Sequence, residues 1–502
     1  MFKSFFTSRL DISLSSLGAV RAIAALVVLI SVLLGVLMGE VINRDGILYV
    51  SAAQAFLDGG VGAAIQVYKW PAYSIIFGFI SKWTGLSLEA SAHLLNAALM
   101  LLLVDSFIRL SHCLMGKASR PWLAALVLLS FPPLDHRLEI YRDWGYLAFS
   151  LFAFVSFLKF WLEQRGTTKD ALIWQAGMLG ALLFRVEAAA LIVLLPLALL
   201  FQDRPWSQRV KRFMRANFPI AVIFVVALVL VAAGGMSLGR LSDITAYVDP
   251  QYLFGNFTKM SEKIASHVLN KYTDDYAGLI LGGGIATVVG WMLVDNLGGW
   301  LVFITGVGLY RNRLPESNAF RLVYWALAII VVTLSVFLVT NLVSVSRYAL
   351  LGSLFLLTLT VYAVTQFSDV QVRRHPLGRY WWWFILTGLV IGNLANLALR
   401  PDYKGYLRDG GNWLHDNVSE AIPLITNDSI IEYYAQRQHA EKLDSLEKIA
   451  SAVSRSQPPY VVALKTNDKD REEVFSLMRR EPMIEFHSSH ARETLLIFEV
   501  GQ

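Results

Sequence analysis

Gly39-Glu40-Val41-Ile42-Asn43-Arg44-Asp45-Gly46-Ile47-Leu48-Tyr49-Val50-Ser51-Ala52-Ala53-Gln54-Ala55-Phe56 follows directly on an apolar run from Leu17 to Met38. About 20 apolar residues span a hydrocarbon core, so this stretch stands where the chain first leaves the membrane. It carries two carboxylates, Glu40 and Asp45, to that exit. The apolar run has no convincing small-residue cleavage pattern and reads as a retained first helix.

The rest of the chain has the same solvent preference. Of its 502 residues 55% are hydrophobic and 16% charged, and the mean hydropathy is +0.51. That is too much apolar surface for one water-soluble core, and it predicts a polytopic α-helical membrane protein. The net charge of +6 is dispersed in small groups between apolar runs, the pattern of cytoplasmic membrane loops, which argues against nucleic acid as a partner. A single cysteine, Cys113, excludes an internal disulfide framework and a Cys-rich metal site.

Apolar runs predict about eleven transmembrane helices, beginning near residues 17, 90, 121, 144, 170, 186, 216, 291, 321, 346 and 380. Lys and Arg fall in every second connection: Lys3 and Arg9; Arg109, Lys117 and Arg120; Lys159, Arg165 and Lys169; Arg204, Arg209, Lys211, Arg212 and Arg215; Arg311, Arg313 and Arg321; Arg373, Arg374 and Arg379. By the positive-inside rule the N-terminus is cytoplasmic, and an odd span count puts the C-terminus outside. The expected domains are a membrane domain, 1–399, and a small soluble α/β domain, 400–502. In the latter, Val461 to Lys465 and Thr494 to Val500 read as strands, and Glu441 to Val453 and Asp470 to Arg480 as helices.

Three outer connections follow. In the first, 39–89, Gly46 to Asp58 reads as a short helix ended by Gly59-Gly60 and capped by Asp45, and Trp70 to Trp83 as an interfacial helix. The second, Pro132 to Asp143, crowds Asp135, His136, Glu139, Arg142 and Asp143 together. The spacing of Asp135, His136 and Glu139 is compatible with a divalent ion. A solvated loop, with Asp143 capping the next helix, is the plainer reading, and no cofactor is called for. The third, Gly234 to Gly290, is long and aromatic, with Tyr247, Tyr252, Phe254, Phe257, Tyr272 and Tyr276, and suits a lid.

Asp45, Tyr49, Ala52, Gly59-Gly60 and Tyr68-Lys69-Trp70-Pro71 come in an order that resembles the GT-C superfamily of membrane glycosyltransferases. The likeness is greatest to the branch containing bacterial lipid A aminoarabinose transferases and protein O-mannosyltransferases. Further matches are Leu183-Phe-Arg-Val-Glu187, Ser346-Arg-Tyr-Ala349, Gly411-Asn-Trp-Leu-His-Asp-Asn417, Ile425-Thr-Asn-Asp428 and Tyr433-Tyr434. Each motif is short, and their order carries the resemblance. The chain departs from many relatives in having Arg44-Asp45 where they carry two adjacent acids, and Pro71-Ala72 where they carry Pro-Pro.

The resemblance implies a bacterial inner-membrane enzyme that moves a sugar, with inversion, from a polyprenyl-phosphate donor to a glycolipid, glycan or protein acceptor on the periplasmic face. Asp45 is then the base. Lys69 and Arg347 hold the donor phosphate, with Arg185 a third candidate and Glu187 its internal partner. Glu40, Tyr49, Tyr68, Arg142, Asp143 and Tyr348 are further cavity candidates. A basic residue at a membrane boundary is, by itself, more often a snorkelling anchor than a ligand. Two rivals are weighed beside this reading. A transporter would break helices near the midplane, for which Gly282-Gly283-Gly284 is the one candidate. A polysaccharide polymerase or ligase would place functional cations in a late outer loop, for which Arg240 and His267 are candidates.

Overall fold

The computed structural model describes residues 16–163, 167–232, 249–341, 345–368, 376–398, 404–437, 443, 445–489 and 492–501. Lys3, Arg9, Arg165, Arg240, Tyr247, Arg373, Arg374 and Glu441, all named above, lie outside the described residues. The chain is a polytopic α-helical membrane protein with a small C-terminal sheet. Among the described residues, seven helices are long and apolar enough to cross a membrane. Contacts divide the chain into two compact units. One comprises 1–31, 94–137 and 142–398, the other 32–93, 138–141 and 399–502.

The first unit is helical, and small residues set its closest packing. Helix α6 (Asp143–Leu162) lies against α7 (Thr168–Phe184). A Cβ on Gly177 would stand 2.8 Å from that of Ala153. Without a hydrophobic drive between helices in lipid, such close backbone approach is a main source of cohesion. Buried amides supply the rest: Asn393 Nδ2 donates to Ser130 Oγ at 2.6 Å, and Asn396 Nδ2 to the Leu129 carbonyl at 3.1 Å.

The sequence places one span near 291, but the structure has two helices there, Ala277–Asp295 and Gly298–Asn312. Gly298 turns the chain between them at φ 68°, a value that favours glycine. The run Gly282-Gly283-Gly284 sits inside the first of these helices without interrupting it, so the break looked for there is absent. Much of the expected third outer loop is helical as well, with Pro250–His267 capped by the Asp249 side chain. The helix expected at 121 runs only from Pro121 to Leu129, about 13 Å at 1.5 Å per residue, too short to span alone.

In the second unit the strands β1 (Leu424–Thr426), β2 (Tyr460–Asn467), β3 (Ile484–His487) and β4 (Glu493–Val500) form a sheet in the order β1-β2-β4-β3. The β1–β2 pair is parallel and the other two pairs antiparallel. Side chains alternate across β2. Val461 and Ala463 enter one core, Val462 and Leu464 the other. Helices Leu446–Arg455 and Arg471–Met478 cover the second face. The first face is covered by α16 (Gly405–Asn417), α17 (Ser429–Tyr434), Val41 and Ile47. From the opening stretch, Val41 is therefore part of the core of the C-terminal sheet and Ile47 packs against it.

Candidate active site

Asp45 lies in the first turn of α2 (Arg44–Val67), which differs from the expected helix at both ends. The N-cap position belongs to Asn43, not Asp45. Asn43 uses its Oδ1 to accept from the Ile140 amide at 2.9 Å instead of closing a cap bond. Nor does the helix end at Gly59-Gly60. It kinks at Gly60, φ 75°, and resumes to Val67. Gly46 is demanded by packing: a Cβ there would meet Asn43 Oδ1 at 2.7 Å and Ile42 Cγ1 at 2.9 Å. One turn on from Asp45, Tyr49 is buried and meets the rings of Tyr68 and Tyr73 edge to face, with centroids 5.5 and 5.3 Å away. The segments on either side of Lys69 thus contribute two rings that pack on Tyr49. Lys69 itself is exposed and makes no ion pair among the described residues.

The segment around Asp45 is bound to the C-terminal elements of the same unit. Arg44 Nη2 donates to Asp428 Oδ2 at 3.0 Å, the Ile42 amide to the Tyr434 hydroxyl at 3.2 Å, and Arg408 Nη1 to the Gly39 carbonyl. The Tyr433 hydroxyl donates to Glu89 Oε1 at 2.5 Å. Asp428, Glu432, Tyr433 and Arg408 are absent from the candidates drawn from the sequence. Asp428 and Tyr433 fall within matching motifs, but their partners are hundreds of positions away.

Burial, with the charge of Asp428 beside it, pushes the Glu432 carboxyl up to about 7. The folded state then binds this proton more tightly than the unfolded chain does, so the associated stability is present below about pH 4.5 and lost as pH rises through 7. Glu432→Gln is expected to flatten that part of the stability profile. Thermal unfolding of both proteins between pH 4.5 and 8 measures it, and parallel profiles would contradict the assignment.

In the first unit, Arg185 is the centre of a second cluster. Its Nη1 donates to Asp143 Oδ1 and its Nη2 to Glu187 Oε1 at 2.6 Å. The side chains of Arg185 and Asp143 are 3% and 6% exposed, so loss of one partner would strand the other's charge. Asp143 was expected to cap its helix. It occupies the first turn, after Arg142 at the cap position, and spends its carboxylate on Arg185. The Arg185 guanidinium lies 4.5 Å from the Tyr348 ring centroid and that of Arg347 lies 5.9 Å from it. Tyr348 therefore links the two cations. Arg347 sits in the turn Ser346–Ala349, which leads into α14 (Leu350–Phe367). A cavity opens beside this cluster, lined by Tyr146, Glu187, Leu191, Ile329, Phe337 and Tyr348 among others. Its lining is mostly apolar, with Tyr146, Glu187, Thr333 and Tyr348 contributing the polar groups.

Within the connection from Pro132 to Asp143, one cation is held by packing. Arg137 is 2% exposed, and its guanidinium donates to Ser31 Oγ and to the carbonyls of Asn396 at 2.6 Å and Leu397 at 3.1 Å. A cation thereby meets the C-terminal end of helix Pro376–Leu397. Asp135 and His136 lie in the short helix Pro132–Leu138, just before Glu139. Among the described residues no three His, Cys, Asp or Glu side chains are grouped to hold a metal ion.

No family model matches the chain, and no curated protein sequence matches it. Solved structures do. ArnT from Cupriavidus metallidurans bound to undecaprenyl phosphate is 12% identical, with a TM-score of 0.50 over 95% of this chain and 96% of that one. The apo state of the same protein is 13% identical, at the same TM-score and coverage. The archaeal oligosaccharyltransferase AglB from Archaeoglobus fulgidus, in complex with an inhibitory peptide and a dolichol-phosphate, is 11% identical. Its TM-score is 0.51 over 90% of this chain and 70% of that one. At such identities the likeness is one of fold, and it extends from the membrane helices into the C-terminal sheet: the chain has the fold of the GT-C membrane glycosyltransferases.

Proposed function

We propose that the protein is an inverting glycosyltransferase that moves a sugar from a polyprenyl-phosphate donor to an envelope glycolipid, glycan or protein. The observation that supports this most is a fold shared along 95% of the chain with a protein seen bound to undecaprenyl phosphate, together with a carboxylate in the first turn after the first apolar helix. In this reading Asp45 takes the proton from an acceptor hydroxyl as its oxygen attacks the anomeric carbon. The bond from that carbon to the phosphate oxygen breaks on the opposite side, and polyprenyl phosphate leaves. A phosphate leaves without a proton donor if fixed positive charge stabilises it in a site of low dielectric. Lys69 and Arg347 are assigned that task. Arg185 is already matched by two carboxylates, and is assigned to holding Tyr348. Comparison of envelope glycolipids and glycoproteins by mass, with and without the gene, tests the reading. A sugar increment that disappears with the gene is expected, and an unchanged envelope speaks against transfer.

The reaction is placed on the periplasmic face of a bacterial inner membrane, from the alternation of Lys and Arg between spans. A reporter active only outside the cytoplasm, fused after Gln502, is expected to be active. Activity of a cytoplasm-only reporter at that point would reverse the orientation and move Asp45 to the wrong side for this chemistry.

A further inference from the structure

Asp45 has neighbours that are held on both sides. Before it, Val41 is buried in the C-terminal core, the Ile42 amide is bonded to Tyr434, and Arg44 is paired with Asp428. After it, Gly46 is pressed against Asn43 and Ile42, and Ile47 packs on the same core. Asp428 joins these contacts at one buried side chain. Its side chain is 2% exposed, one oxygen accepts from the Ile430 amide at 3.0 Å to start α17, and the other accepts from Arg44. Helix α17 then delivers Tyr433 to Glu89 and Tyr434 to Ile42. A helix of six residues is too short to stand alone in water. Here its ends are tied to the segment that carries Asp45.

We propose that Asp428 and Arg44 are positioning residues for Asp45, so that the C-terminal domain sets the aim of the catalytic carboxylate. This rests on the reading of Asp45 as the base. Energetics separate positioning from support. The Arg44 side chain is 63% exposed, so solvent weakens its end of the pair, while the Asp428 side chain is 2% exposed and keeps the bond from the Ile430 amide when Arg44 is replaced. Displacement of a reacting group by about 1 Å costs roughly 100-fold in rate. The pair is thus expected to matter much more to turnover than to folding.

The test uses the full chain in detergent, with the polyprenyl-phosphate-sugar fraction of native membranes as donor and envelope extract as acceptor. Arg44→Met is expected to lower the maximal rate roughly 10- to 100-fold. The half-saturating donor level should stay within about twofold, and the variant should remain folded at the assay temperature, with the Asp428 carboxylate still held by the Ile430 amide. Arg44→Lys should recover part of the rate. Asp428→Asn keeps a good helix cap and should reproduce the effect, while the double variant should be no slower than the slower single one, since the two act as a unit. An unchanged rate in Arg44→Met, with Asp45→Asn inactive, would overturn the positioning role and leave the base assignment standing. A fall in Tm that accounts for the lost rate would reduce the pair to structural support. Full activity of Asp45→Asn would remove the base assignment itself, and this inference with it.

Discussion

Asp45→Asn is expected to lower sugar transfer by roughly 100-fold or more, the usual contribution of a general base, while the protein inserts and folds. The substitution keeps size and removes basicity. Asn43 occupies the N-cap position, with its side chain on the Ile140 amide, and Asn is itself well suited to the start of a helix. The charge of Asp45 near a helix N-terminus is itself worth about 0.3–1 kcal/mol. Transfer measured at saturating donor, beside a folding check by thermal unfolding, separates the two effects. Near-native transfer by a folded Asp45→Asn protein would mean that another group, or an acceptor already ionised, supplies the attacking oxygen.

Lys69→Ala and Arg347→Ala are each expected to weaken binding of polyprenyl phosphate lacking a sugar. A charge-assisted bond to phosphate contributes about 1.5–3 kcal/mol, which corresponds to roughly 10- to 150-fold in affinity. The two residues start from different surroundings. Lys69 is exposed, with no carboxylate partner among the described residues, so its ammonium has donors to offer. Arg347 shares the Tyr348 ring with Arg185, whose own charge is met by Asp143 and Glu187. Replacement of Arg347 therefore strips positive charge from a cluster in which the carboxylates remain, and repulsion of the phosphate adds to the lost bond. Titration of the purified wild type and both variants with undecaprenyl phosphate decides the matter. Unchanged affinity in both would reduce these residues to anchors at the membrane boundary.

The amino-acid order alone determined what depends on contiguous residues. Apolar runs of membrane length mark Leu17–Leu37, Leu88–Met115 and Asp143–Leu162, because the free energy of placing a segment in lipid is summed residue by residue. The strands Tyr460–Asn467 and Glu493–Val500 were legible from β-branched and apolar runs, whereas Leu424–Thr426 and Ile484–His487 are too short to show a period. Asp45 was identifiable as a carboxylate beyond the first span. Where its helix begins was not, since Asn43 and Asp45 are both residues that favour a helix start, and the bond that takes the Asn43 side chain comes from Ile140, 97 positions away. The pairing of Arg44 with Asp428 spans 384 positions, and Arg185 meets Asp143 across 42. No local pattern encodes such partners. A buried or half-buried charge must find a counter-charge to offset its lost hydration, and which one it finds is settled when the elements pack.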